Sequence, residues 1–160
     1  MRGVKPEPLR DFCAGLFVAT GVPPADARIV ADSLVEADLR GVSSHGTTRV
    51  GVYLERLRAG LVNPRPRIAT VRESSTTLLL DGDNGLGAVV GVAAMDEAIR
   101  RATAHGTAWV GVRNSNHFGA AAFYVMRAAR AQCIGLALTN APATMALWGG
   151  RTPFLGTNPF

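Results

Sequence analysis

Two short stretches carry side chains able to move a proton beside a bound carboxylate. In SSHGTTRVGVY, His45, Arg49 and Tyr53 recur at intervals of four. A helix that includes His45, or begins just after it, turns all three to one side. Histidine donates or accepts a proton near neutral pH. Arginine offers a planar fork of donors matched to a carboxylate, and tyrosine adds a positioned hydroxyl. That set suits a small 2-oxo or 2-hydroxy acid. The second stretch, VGVRNSNHFGAA at 110–121, sends a run of small apolar residues into a polar loop containing His117. Ligand sites of α/β sheets gather beyond the carboxyl ends of strands, which is where this loop falls. Asn114, Ser115 and Asn116 are able to orient the ring or cap the helix that follows.

Both stretches also admit plainer readings. In these, His45 only helps a turn while Arg49 is solvated, and His117 is a loop residue among capping neighbours. Spacing alone leaves these alternatives open. His105, at the end of an Ala-rich run, reads as a C-terminal charge complementing the helix dipole. DGDNGLGAVVG fails as a calcium loop, because its fifth position is Gly85 and its twelfth Val92. It fails as a dinucleotide fingerprint too. Gly85 and Gly87 fit, but the third glycine comes one residue late at Gly91, and no acidic residue ends a second strand where a ribose would need it. Three histidines and two cysteines at these separations form no metal set, so none is expected.

The elements that must position these residues come from periodicity. Leu9, Phe12, Leu16 and Phe17 predict a helix over 6–20, stopped by Gly21. Pro23 and Pro24 open a second helix running to about Leu39. Val50, Tyr53, Leu54 and Leu57 predict a third over roughly 47–59, ended by Gly60. LVNPRPR at 61–67 is extended and proline-punctuated. Short strands follow at 68–72 and 76–81, then a DGDNG turn at 81–85 and a long helix over 86–104. A strand at 107–113, a helix at 119–131 and a strand at 133–139 complete the pattern. The expectation is an α/β protein: a helical N-terminal part, 1–62, followed by a partial α/β domain, 63–160, with a parallel or mixed sheet. The apolar, turn-rich ending GGRTPFLGTNPF leads us to expect a longer native polypeptide of which this is the N-terminal portion.

Composition narrows the function classes. The net charge of +5 comes mostly from scattered arginines, with no basic stripe interleaved with aromatics, so nucleic-acid binding is not expected. No apolar run has membrane length and the N-terminus lacks a signal-peptide core, so a soluble, cytoplasmic protein is expected. Cys13 and Cys133 sit in apolar patterns and are expected reduced, buried and inert.

Taken in order, ADLRGVSSHGTTR (37–49), DGDNGLG (81–87), NSNHFGAA (114–121), TNAPATMALWGG (139–150) and GTNP (156–159) resemble the malate/L-lactate dehydrogenase family of NAD(P)-dependent oxidoreductases. The resemblance runs from about Leu9 to Phe160 and implies a non-Rossmann α/β fold, with NAD or NADP as cofactor. It implies hydride transfer between a small 2-oxo acid and its 2-hydroxy acid, and a homodimer. Cyclic-imine amino-acid reduction is the alternative within the family, and a catalytically inactive truncated fragment is another. By the same resemblance, His117 is the catalytic acid/base with His45 its rival, and Arg49 is the carboxylate clamp with Tyr53 nearby. Thr139, Asn140 and Ala141, together with Gly156, Thr157 and Asn158, are implied in the nicotinamide site.

Overall fold

A computed structural model describes residues 3–160. Helix α1 (Pro6–Val18) and helix α2 (Pro24–Leu39) each begin on a proline, whose missing N–H costs nothing in a first turn. Helix α1 ends on Gly21 at φ 91°, where the Gly21 and Val22 amides bond back to Val18 and Phe17. The buried face of α2 is built from Ala27, Val30, Ala31, Leu34, Val35 and Ala37, small enough to let α1 approach closely. Phe12, placed by periodicity on the apolar face of α1, is instead 65% exposed, while Cys13 and Phe17 are buried.

The third helix starts later than its periodicity predicts. Residues Ser43–His45 and Thr47–Arg49 form two 3₁₀ turns, and α3 covers Val50–Arg58. The cause is a side chain of α2. The Asp38 carboxylate accepts hydrogen bonds from the Thr47 amide at 2.9 Å and the Thr47 hydroxyl at 2.6 Å. It thereby ties the turn to α2 in place of a helical ladder.

Strands β1 (Ala69–Glu73), β2 (Thr77–Gly85) and β3 (Trp109–Ser115) form one sheet in the order β1-β2-β3. Strand β1 runs antiparallel to β2, and β2 parallel to β3. The 19-residue helix α4 (Gly87–His105) makes the crossover that a parallel pair requires. Leu78 and Leu80 turn inward from β2 against Ala94 of α4. DGDNG does turn, but inside the strand: Asp83 and Asn84 take φ of 48° and 55°, and pairing resumes at Gly85 opposite Ser115. Helix α5 (Ala121–Arg130) follows, and a small hairpin of β4 (Met145–Ala146) with β5 (Pro153–Leu155) comes last. The main core joins Phe17, Leu34, Leu54 and Leu57 of the first three helices to Leu86 and Val89 at the start of α4. Among the described residues, no helix is long and apolar enough to cross a membrane.

The expected strand at 133–139 does not form. Its alternation is real, because Ala137 packs with Val92 and Tyr124 while Ile134, Leu136 and Leu138 face outward. Alternation identifies an extended segment with two faces; it supplies no hydrogen-bonding neighbour. Cys13 is buried as expected, and burial raises its thiol pKa. Cys133 is only half-buried.

Candidate active site

The two histidine stretches, 72 residues apart in sequence, meet in the folded chain. The His45 and His117 rings stack, with centroids 5.5 Å apart and planes inclined by 27°. The Tyr53 hydroxyl lies 2.5 Å from His117 Nδ1. Tyr53 comes from α3, His45 from the first 3₁₀ turn, and His117 from the loop after β3. Ser44 Oγ engages His45 Nδ1 at 2.9 Å. Neither histidine's Nε2 has a partner among the described residues.

Arg49 is tethered by one nitrogen only. Its Nε donates to the Ser44 carbonyl at 2.6 Å, and among the described residues no acceptor meets its two terminal nitrogens. A guanidinium edge held this way is positioned before any ligand arrives, as a carboxylate clamp requires.

The electrostatics follow from the same geometry. Burial pushes the Tyr53 pKa up to about 12, with Arg49 pulling the other way, so the phenol stays protonated. His117 is exposed as a residue, yet its ring is crowded by Tyr53 and His45. That desolvation first, then the positive charges of Arg49 and His45, lowers its pKa below the usual imidazole value. Removing one charge weakens that effect. In Arg49→Gln or His45→Gln, the His117 ring protons should titrate at higher pH than in the wild type by NMR. An unmoved titration in both variants would show that these charges do not reach the ring.

The backbone that carries the histidines is fixed by close approaches. A Cβ on Gly46 would stand 1.8 Å from Asp38 Oδ1, so only glycine lets the His45 turn sit on that carboxylate. A Cβ on Gly87 would stand 2.0 Å from the His117 carbonyl oxygen. The Tyr124 hydroxyl donates to the next carbonyl, Phe118 O, at 2.5 Å. From the sequence, Gly87 stands out only in the rejected dinucleotide fingerprint, and Asp38 and Gly46 stand out only as members of the ADLRGVSSHGTTR motif. The available signal was the single glycine inside SSHGTTR and the glycine that opens α4.

Asp81 and Asp83 are occupied internally. Arg113 and Asn114 bond Asp81, while Asn63 and the Arg67 amide bond Asp83. Among the described residues, no group of three His, Cys, Asp or Glu is arranged to hold a metal.

The second predicted set also comes together. The Ala141 amide donates to Asn158 Oδ1 at 2.8 Å, and the Thr139 amide donates to the Pro159 carbonyl at 3.2 Å. Gly156 fits because a Cβ there would stand 2.1 Å from Ala141 O. Thr139, Asn140 and Ala141 therefore lie against Gly156, Thr157 and Asn158. Among the described residues, no hydrogen bond links this pair of segments to His45, Arg49, Tyr53 or His117.

The sequence and the fold resemble those of known proteins. Over 156 residues the chain is 44% identical to L-sulfolactate dehydrogenase of Methanocaldococcus jannaschii, covering 98% of this chain and 45% of that protein. The solved malate dehydrogenase from Pyrococcus horikoshii OT3 superimposes with a TM-score of 0.94 at 45% identity, over 98% of this chain and 45% of that one. A more distant solved structure, delta1-piperideine-2-carboxylate reductase from Pseudomonas syringae pvar. tomato, gives 0.79 at 27% identity, over 99% and 48%. The chain thus spans less than half the length of these relatives. Its sequence matches the malate/L-lactate dehydrogenase family profile from residue 4 to residue 160, and with the fold of these solved relatives agreeing, the chain belongs to that family.

Proposed function

We propose that the chain contributes the acid/base and substrate-binding half of an NAD(P)-dependent oxidoreductase that interconverts a small 2-oxo acid and its 2-hydroxy acid. The observation that carries this reading is the Tyr53–His117 hydrogen bond beside the Arg49 fork. The cofactor-side residues fit a nicotinamide by the chemistry of their donors. Asn140 and Thr157 are exposed, and among the described residues their side-chain polar atoms have no partner, which leaves them open to a carboxamide. Thr139, Ala141, Gly156 and Asn158 set the spacing of that pair. When bound, the nicotinamide supplies or accepts the hydride.

The chain's own residues do the rest. Arg49 takes the substrate carboxylate in its free fork and so fixes where the 2-oxo group lies. Imidazolium His117 donates Nδ1–H to the Tyr53 oxygen and carries the transferable proton on Nε2. Delivering that proton to the developing alkoxide leaves neutral His117 with its Tyr53 bond unchanged, so the ring need not reorient. The reverse reaction takes the hydroxyl proton back onto Nε2. His45, stacked on the same ring, raises the acidity of His117 through its charge. A homodimer in the cytoplasm is the setting we propose, by analogy with the family.

Reduction of a cyclic imine carboxylate is the second reading. It is favoured by the likeness to the piperideine carboxylate reductase, and the same clamp and proton donor serve a C=N bond. The complete gene product, given NADH or NADPH and a panel of 2-oxo acids and cyclic imine carboxylates, should consume cofactor with one class far faster than the other. Consumption with neither class would sink the proposal.

A further inference from the structure

Beside His117 stands a residue whose side-chain polar atoms are all engaged, and none of them on the histidine itself. The Asn116 amide nitrogen lies 2.9 Å from Asn84 O, 2.9 Å from Asn84 Oδ1 and 3.0 Å from Gly85 O. Its Oδ1 accepts from Arg56 Nη2 at 3.1 Å. Asn116 thus bridges two elements from different parts of the chain. One is the left-handed Asp83-Asn84 bulge of β2; the other is helix α3.

The bridge runs next to the catalytic one. Tyr53 and Arg56 are three residues apart on α3, hence neighbours on its surface. Tyr53 reaches His117 and Arg56 reaches Asn116, so two adjacent links set how far α3 stands from the histidine loop. The bulge itself is held rigid. Asp83 Oδ2 accepts from Asn63 Nδ2 and from the Arg67 amide, each at 2.9 Å, and the Asn84 amide group donates to Leu61 O at 3.1 Å. A small cavity of about 30 Å³ is lined by Tyr53, Arg56, Asn116 and His117 together with Val62 and Leu86. Both linked pairs, Tyr53–His117 and Arg56–Asn116, therefore border this cavity.

Resting on the reading of His117 as proton donor, we propose that Asn116 is a positioning residue. It fixes the His117 ring against Tyr53, His45 and Arg49 by fastening the loop to the β2 bulge and, through Arg56, to α3. Aspartate in its place keeps an acceptor for Arg56 but removes both N–H donors and sets a carboxylate against three oxygens, Asn84 O, Asn84 Oδ1 and Gly85 O. Alanine removes both bridges.

The test compares Asn116→Ala, Asn116→Asp and Arg56→Met with the wild type in the complete gene product. Two quantities are read: the steady-state constants for the best substrate, and the His117 titration by NMR. In Asn116→Ala and Asn116→Asp, kcat should fall about tenfold to a hundredfold, as displacement of a reacting group by about 1 Å does. KM for the nicotinamide should hold. The His117 pKa should rise toward the ordinary imidazole value as the ring leaves its crowded position. Arg56→Met should give the same two changes in smaller measure. Arg56 is exposed, so this variant carries the test if Asn116→Ala does not fold. A folded Asn116→Ala with unchanged kcat and unchanged His117 titration overturns the proposal. His117→Gln keeps the two ideas apart. If that change spares turnover, the proton-donor reading fails; if it abolishes turnover while Asn116→Ala has no effect, only the positioning role fails.

Discussion

His117→Gln should lower kcat for 2-oxo acid reduction by about 10²–10⁴-fold, the usual contribution of a placed general acid. Glutamine keeps a polar side chain near Tyr53 but has no group that gives up a proton near neutral pH. The loss should fall on kcat and leave binding intact, because in the proposed reading the carboxylate is taken by Arg49, whose turn is separate from the His117 loop. His45→Gln should cost much less. It removes a charge that acidifies His117 while leaving the Tyr53–His117 bond in place. Steady-state kinetics of the two variants, side by side, rank the histidines. A larger loss for His45→Gln would exchange their roles.

Gly87→Ala should be nearly as damaging to turnover, though residue 87 bears no reacting group. The added methyl would lie 2.0 Å from His117 O, 2.6 Å from its carbonyl carbon and 2.7 Å from Asn116 O. These are backbone atoms, with no flexible end to swing aside, so the loop itself must move by more than an ångström. Overpacking of this kind costs about 1–3 kcal/mol of stability. Displacement of a reacting group on that scale costs about a hundredfold in rate. Gly15 in α1 is the natural control, because a Cβ there meets nothing within 4 Å. Gly15→Ala should stabilise the protein by about 0.5–1 kcal/mol through helix propensity and leave kcat alone. Thermal melts and kcat measured on both variants test the pair. Full activity in Gly87→Ala would show that the loop adapts.

Much of this architecture is legible in the sequence wherever a signal is local. Prolines at the helix starts and glycines at the ends delimit α1 and α2, and an Ala-rich amphipathic run gives α4. The site was legible as two separate motifs. What joins them was not. Stacking of His45 on His117 depends on the 3₁₀ turn before α3 meeting the loop after β3 in three dimensions, and no periodicity encodes that. The late start of α3 depends on Asp38, nine residues before the Thr47 it binds. The failure of 133–139 to pair has the same origin, since alternation specifies faces and leaves the neighbour unspecified. DGDNG reads as a turn, and Asp83 and Asn84 do take positive φ, but the stretch stays within β2. Its place within a strand came from the parallel partner at Ser115, 30 residues beyond Gly85.

The central claim is that His117, acidified by its neighbours and held by Tyr53, moves the proton. It is tested most directly by the pH dependence of kcat/KM in both directions, set beside the NMR titration of His117. Reduction needs the imidazolium and should rise as pH falls. Oxidation needs the neutral ring and should rise as pH increases. Both profiles should turn at the pKa measured for His117, below the ordinary imidazole value, and both should move to higher pH in His45→Gln. A profile that disappears in His45→Gln, or persists unchanged in His117→Gln, would contradict the account.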